Sequence, residues 1–257
     1  MAIGFFDSGA GGLSILKHAL DVNPDYDYIY FGDSANCPWG NKSFDFILNR
    51  SRKITEFLIS KGSQLVVVAC NSATVNAISY LRKEYSIPFV GVEPGVKPAA
   101  SNSAKKKIAV LLTKAASKGN RFFDLVDKFA DGVEVLTFPA PGLVEFVEEG
   151  KLDGSDVEET LRNVLQPVID SGVDQLVLGC THYPFLLSAI ERILPESINV
   201  IDTGLAVAKR LKTDLDLKHI SKGTGQITLF TSGNPDDFSK LAGKLLGIQS
   251  LKAYNQL

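Results

Sequence analysis

Two apolar runs of strand length, Leu65-Val66-Val67-Val68-Ala69 and Leu176-Val177-Leu178-Gly179, each stop at a cysteine followed by small polar residues, Cys70-Asn71-Ser72 and Cys180-Thr181-His182. A continuous apolar run that ends in a polar turn is the pattern of a strand buried on both faces of a parallel sheet. Its repetition predicts two similar units with the cysteines at equivalent places. In open α/β sheets ligands collect just beyond the carboxyl ends of the strands. Both thiols are therefore expected to face one crevice, where they could work as an acid and a base.

The surrounding pattern supports a duplication. Predicted strands at Ala2–Phe6, Tyr26–Phe31, Leu65–Ala69 and Phe89–Val92 alternate with helices at about 13–20, through about Lys61, and at 73–85. A stretch rich in Pro, Ala, Ser and Lys, Lys97–Lys107, reads as a break. The alternation then restarts with a strand at Ile108–Leu112, a turn at Thr113–Gly119, a helix at Arg121–Phe129 and a strand at Val133–Phe138. A helix over about Val157–Ser171 precedes the second cysteine strand. The expected fold is α/β, with two pseudo-symmetric doubly wound lobes, parallel sheets and an active site in the cleft between them. The first lobe is expected to take residues 1–96 plus 205–257, and the second 97–204.

With 257 residues, 45% of them hydrophobic, the chain can bury a full core, and a formal charge of −2 gives no general attraction to nucleic acid or an anionic membrane. No apolar stretch approaches the ~20 residues that span a bilayer, and the first residues read as a strand rather than a leader. A cytoplasmic protein is expected, with neither nucleic acid nor membrane as partner. Three cysteines without ligand spacing argue against a disulfide framework and against a zinc site.

The glycine-rich turn Asp7-Ser8-Gly9-Ala10-Gly11-Gly12 lacks both the dinucleotide spacing and a Walker lysine, and a carboxylate at its head would repel phosphate. Asp7 suits either an ammonium partner or a helix cap. Free cysteines often merely pack, but the repetition favours chemistry for Cys70 and Cys180. A thiol at a helix start is expected to have a lowered pKa. Asn71, Ser72, Thr181 and His182 offer donors for a carboxylate. His182, two residues beyond Cys180, reads as an acid–base helper. Glu148 reads equally as such a helper or, with Glu145 and Glu149, as part of a solvated helix face. Cys37 reads as a packing residue. No lysine lies in a pyridoxal phosphate context and no metal-ligand cluster is evident, so no cofactor and no metal are expected.

Phe6-Asp7-Ser8-Gly9-Ala10-Gly11-Gly12-Leu13, Tyr30-Phe31-Gly32-Asp33, Ala69-Cys70-Asn71-Ser72-Ala73, Gly91-Val92-Glu93-Pro94-Gly95 and Gly179-Cys180-Thr181-His182-Tyr183-Pro184 together resemble the signature segments of the glutamate racemases, in the aspartate/glutamate racemase superfamily. They occur in family order from Phe6 to about Asp202. The resemblance implies cofactor-independent interconversion of L- and D-glutamate, supplying D-glutamate for peptidoglycan, with other amino-acid racemases, aspartate first, and a non-catalytic binding homologue as alternatives. It implies that Cys70 and Cys180 are the acid–base thiols, that Asp7 assists Cys70, and that His182 and Glu148 assist Cys180. Ser8, Trp39, Gly40, Asn71, Ser72, Thr113 and Thr181 become substrate-binding positions. The implied partner is a small amino acid, with a homodimer left open. Three positions depart from the family: Trp39 replaces a tyrosine, Ser72 a threonine, and Ala116 the second threonine of a Thr-x-x-Thr turn that begins at Thr113.

Overall fold

The computed structural model describes residues 1–117 and 120–257. The chain runs β1 (Ala2–Asp7), α1 (Leu13–Val22), β2 (Tyr28–Gly32), 3-10 turns at Ser34–Asn36 and Trp39–Asn41, α2 (Phe44–Ser60), β3 (Ser63–Val68), α3 (Asn71–Glu84), β4 (Phe89–Gly91) and α4 (Val96–Asn102). It continues with β5 (Lys107–Leu112), α5 (Lys114–Ser117), α6 (Asn120–Phe129), β6 (Glu134–Pro139), α7 (Leu143–Glu148), α8 (Ser155–Asp170), β7 (Gln175–Leu178), a 3-10 turn at Tyr183–Leu186, α9 (Leu187–Ile193) and β8 (Asn199–Ile201). Then follow α10 (Gly204–Leu217), β9 (Ile227–Thr231), α11 (Pro235–Leu246) and β10 (Ala253–Asn255).

The strands form two sheets, ordered β10-β9-β2-β1-β3-β4 and β6-β5-β7-β8, and the paired strands are parallel. The order β2-β1-β3-β4 in the first sheet recurs as β6-β5-β7-β8 in the second. The internal repeat is therefore topological, and β3 and β7, which lead into the two cysteines, hold the same place in their sheets. Helices cover the sheets, so the central strands are buried almost throughout and read as unbroken apolar runs. The fold is α/β and two-lobed, with β9 and β10 returning to the first sheet.

Some local expectations change. Most of the Lys97–Lys107 break is helix α4: Pro98 stands in its first turn, where no amide partner is needed, and Ala99 and Ala100 are buried. The start of the expected Thr113–Gly119 turn is the short helix α5, while residues 118–119 lie outside the described residues. Helix α9 and the three-residue edge strand β10 were not legible, being too short to show a period. Among the described residues no helix is long and apolar enough to cross a membrane.

Candidate active site

Asp7 ends β1 and has no solvent exposure. One carboxylate oxygen accepts the Gly12 amide at 2.6 Å; the other accepts the Ser8 amide at 2.6 Å and the Ser8 hydroxyl at 3.2 Å. Asp7 therefore ties down the turn that begins α1, whose N-cap Gly12 has no side chain to do so. The Thr181 hydroxyl reaches it from the second lobe at 3.4 Å. Burial pushes the Asp7 carboxyl up, against the charge of His182 and the bonds from Cys70 and Gly12.

Cys70 is the N-cap of α3, 4% exposed, with Sγ 3.9 Å from Ser8 Oγ. The expected lowering of its pKa is not found. Burial and the neighbouring Asp7 charge push the thiol well above its ordinary range, and the amides of Ala73 and Ser8 do not compensate. A helix start favours a thiolate only where water or a positive charge shares the load.

The Cys180 half is built differently. Cys180 Sγ lies 3.6 Å from His182 Nδ1, and His182 Nε2 lies 2.7 Å from Glu148 Oε1. That carboxylate oxygen also accepts the Ala10 amide of the first lobe at 2.6 Å. Burial disfavours charge on His182, but its bonds to Cys180, Cys37 and Glu148 outweigh this and hold its pKa well above the imidazole range. Burial of Glu148 is likewise outweighed, chiefly by His182, and its carboxyl is lowered. Of the three glutamates near α7, Glu145 and Glu149 are exposed and Glu148 alone turns inward.

The glycine-rich turn serves this half. A Cβ on Gly9 would stand 2.0 Å from Glu148 Oε1, and one on Gly11 would stand 2.2 Å from His182 Nδ1. The glycines let Glu148 and His182 of the second lobe come against the backbone of the first. They cradle a histidine and a glutamate, not a phosphate.

Ser8, Trp39, Gly40, Cys70, Asn71, Ser72, Thr113, Cys180, Thr181 and His182 all line one small cavity of about 10 Å³, room for roughly a single water. Asp7 and Glu148 stand behind that lining. Ser72 and Thr113 join across the cleft at 2.9 Å, and Ser14 Oγ donates to the Thr181 carbonyl at 2.8 Å. Ala116 does not line the cavity; it is fully buried in the apolar cluster that also holds Val75, Val96 and Phe122, and its amide donates to Thr113 Oγ1 at 3.3 Å.

Two further features escaped the sequence reading. Trp39 is fully buried and its indole donates to Asp33 at 3.1 Å. Asp33 also takes two bonds from Arg50, at 2.8 and 2.6 Å, and one from Ser232 at 2.6 Å. This buried cluster anchors the loop that carries Trp39 and Gly40. The prior signals were the place of Asp33 at the end of an apolar strand and its membership of the Tyr30-Phe31-Gly32-Asp33 segment, neither of which shows what it binds. In addition, Cys37 lies against Glu148 and His182. Burial pushes its thiol up to about 12, a contact with His182 acting the other way.

Residues 14–211 match the Asp/Glu/hydantoin racemase family model. The chain belongs to that family. It is similar to the glutamate racemase of Herpetosiphon aurantiacus, 42% identical with 93% of this chain and 95% of the relative covered. Its structure is similar to glutamate racemase isoform RacE1 of Bacillus anthracis, with a TM-score of 0.91, 30% identity, and 100% of this chain and 97% of that chain covered. It also matches the Francisella tularensis glutamate racemase solved in complex with D-glutamate, with a TM-score of 0.87, 28% identity, and 100% and 97% covered. The family match and the similar relatives mark an amino-acid racemase, and its fold is the two-lobed α/β fold described above.

Proposed function

We propose that this chain interconverts L- and D-glutamate without a cofactor, by moving a proton between the two faces of Cα through Cys70 and Cys180. The observation that carries this reading is that both thiols, standing after equivalent strands of the two sheets, line the same cavity. A base on one face and an acid on the other invert a centre in one pass. By family resemblance Cys180 takes the proton of L-glutamate, assisted by His182 and Glu148, and Cys70 takes that of D-glutamate, assisted by Asp7. The Cys70 thiol, held protonated by burial and by Asp7, is the acid that the L-to-D direction requires.

Ser8, Asn71, Ser72, Thr113 and Thr181 supply the donors for the substrate carboxylates, and the loop of Trp39 and Gly40 forms the wall. Glutamate is favoured over aspartate by the substrate named for the relatives. A cavity that admits about one water cannot hold an amino acid, so the lobes, taken as residues 1–96 plus 205–257 and 97–204, must part to load it. Opening would break the bonds of Ser72 to Thr113, Ser14 to Thr181 and Ala10 to Glu148 that hold the empty cleft shut, and closure over the bound substrate excludes water from the carbanion. The product would serve as D-glutamate for peptidoglycan. Three unpaired thiols suit the reducing cytoplasm.

The deciding experiment is a chiral assay of purified, chelator-dialysed protein with both enantiomers of glutamate and of aspartate, in deuterium oxide and without added cofactor. Racemisation of glutamate with deuterium entering at Cα is expected. Absence of α-exchange with every amino acid would overturn the reading, and faster turnover of aspartate would move the substrate assignment.

A further inference from the structure

We infer that Cys37, Glu148 and His182 form an inhibitory site for a thiophilic divalent cation, zinc above all, that bridges the two lobes and locks the cleft shut. The sulfur of Cys37, the inner carboxylate oxygen of Glu148 and a ring nitrogen of His182 all lie within 4.8 Å of one another. A tetrahedral zinc with sulfur, nitrogen and oxygen ligands holds its donors about 3.3–3.6 Å apart. Shifts on the order of an ångström would therefore seat the ion, which takes the place of the His182 to Glu148 hydrogen bond.

Two other observations support a built site. Cys37 belongs to the loop after β2 in the first sheet, whereas Glu148 and His182 come from the elements before and after β7 in the second, so one ion ties both halves of the molecule. Glycine also makes room for two of the donors: a Cβ on Gly9 would lie 2.0 Å from the Glu148 oxygen and 2.8 Å from the Cys37 sulfur. A donor set of thiolate, imidazole and carboxylate selects zinc or cobalt over magnesium or calcium. Binding would release the thiol proton of Cys37 and the Nε2 proton of His182 to solvent. Nδ1 would still face Cys180, but the imidazole could no longer pass a proton to Glu148. The pinned cleft could not open for substrate.

The test uses zinc chloride and cobalt chloride on chelator-dialysed protein. Micromolar zinc should inhibit the wild type, chelator should restore it, and millimolar magnesium should have no effect. Cys37→Ser should remain active and lose the zinc inhibition. Cys70→Ser/Cys180→Ser leaves Cys37 as the sole cysteine of the three in the chain; with cobalt it should show thiolate-to-cobalt absorption, which adding Cys37→Ser should remove. Undiminished zinc inhibition in Cys37→Ser would place the ion on the catalytic thiols and overturn the inference. So would the absence of a cobalt–thiolate band in the double variant, which decides the matter even if Cys37→Ser proves inactive. The cobalt readout does not depend on racemase activity.

Discussion

The two thiols stand at equivalent strand ends, yet their surroundings differ in kind. Cys70 sits beside a buried carboxylate that burial pushes toward its neutral form, against the charge of His182. Cys180 sits beside an imidazole whose charge is anchored by Glu148. Fold symmetry places the sulfurs, and neighbours that the symmetry does not copy set their electrostatic surroundings. Under the proposed mechanism the two faces of Cα would therefore meet unlike acid–base surroundings.

The comparison breaks most visibly if either thiol is removed. Cys70→Ser and Cys180→Ser should each lower racemisation by ~10²–10⁴-fold, the usual contribution of a positioned acid or base. Because the enantiomers have equal free energy, kcat/KM must fall equally in both directions, and only a half-reaction can tell the sites apart. With a substrate analogue carrying a leaving group at Cβ, Cys70→Ser should keep elimination from the L-configured compound and lose it from the D-configured one. Cys180→Ser should do the reverse, and loss of the same enantiomer in both variants would end the opposed-thiol model.

A smaller effect should follow from the helpers. His182→Asn should slow elimination from the L-configured analogue more than from the D-configured one, by about 10²-fold. Asp7→Asn should show the opposite bias. Equal slowing of both enantiomers in both variants would mean that the two halves are not chemically distinct. Next, Gly11→Ala places a methyl against His182; overpacking of this kind costs about 1–3 kcal/mol. Thermal unfolding should register the loss, and elimination from the L-configured analogue should fall with it.

The smallest change is a control. Asp174 accepts bonds from Ser103 at 2.6 Å and from the amides of Ala104 and Lys105 at 2.7 and 3.0 Å. These outweigh burial and hold its carboxyl below the ordinary range. Its stabilisation is therefore full above about pH 4 and lost as pH falls below that. Asp174→Asn should lower Tm by a few degrees at pH 7, narrow its gap to the wild type in acid, and leave the ratio of the two eliminations unchanged.

Trp39 and Ala116 show where family spacing misleads. Trp39 lines the cavity, but its indole nitrogen is committed to Asp33, so its difference from tyrosine concerns the anchoring of a loop as much as the substrate. Ala116 stands where the family has the second threonine of a Thr-x-x-Thr turn, but it is buried in an apolar cluster with Val110 and Val177 of the second sheet and does not line the cavity. A side chain's direction depends on how the short helix α5 packs, which spacing along the chain does not record.

The sequence by itself determined the parallel strands, the duplication and the equivalent places of Cys70 and Cys180, because apolar run length and the turn that follows are local properties of the chain. Tertiary structure alone decided the rest. The inward face of Glu148, the Asp33 anchor, the meeting of Cys37 with His182 and the raised Cys70 thiol depend on groups distant in sequence and on the water that packing removes. Burial and charge act through space, and the same thiol at the same helix start would sit lower had its neighbour been a cation instead of Asp7.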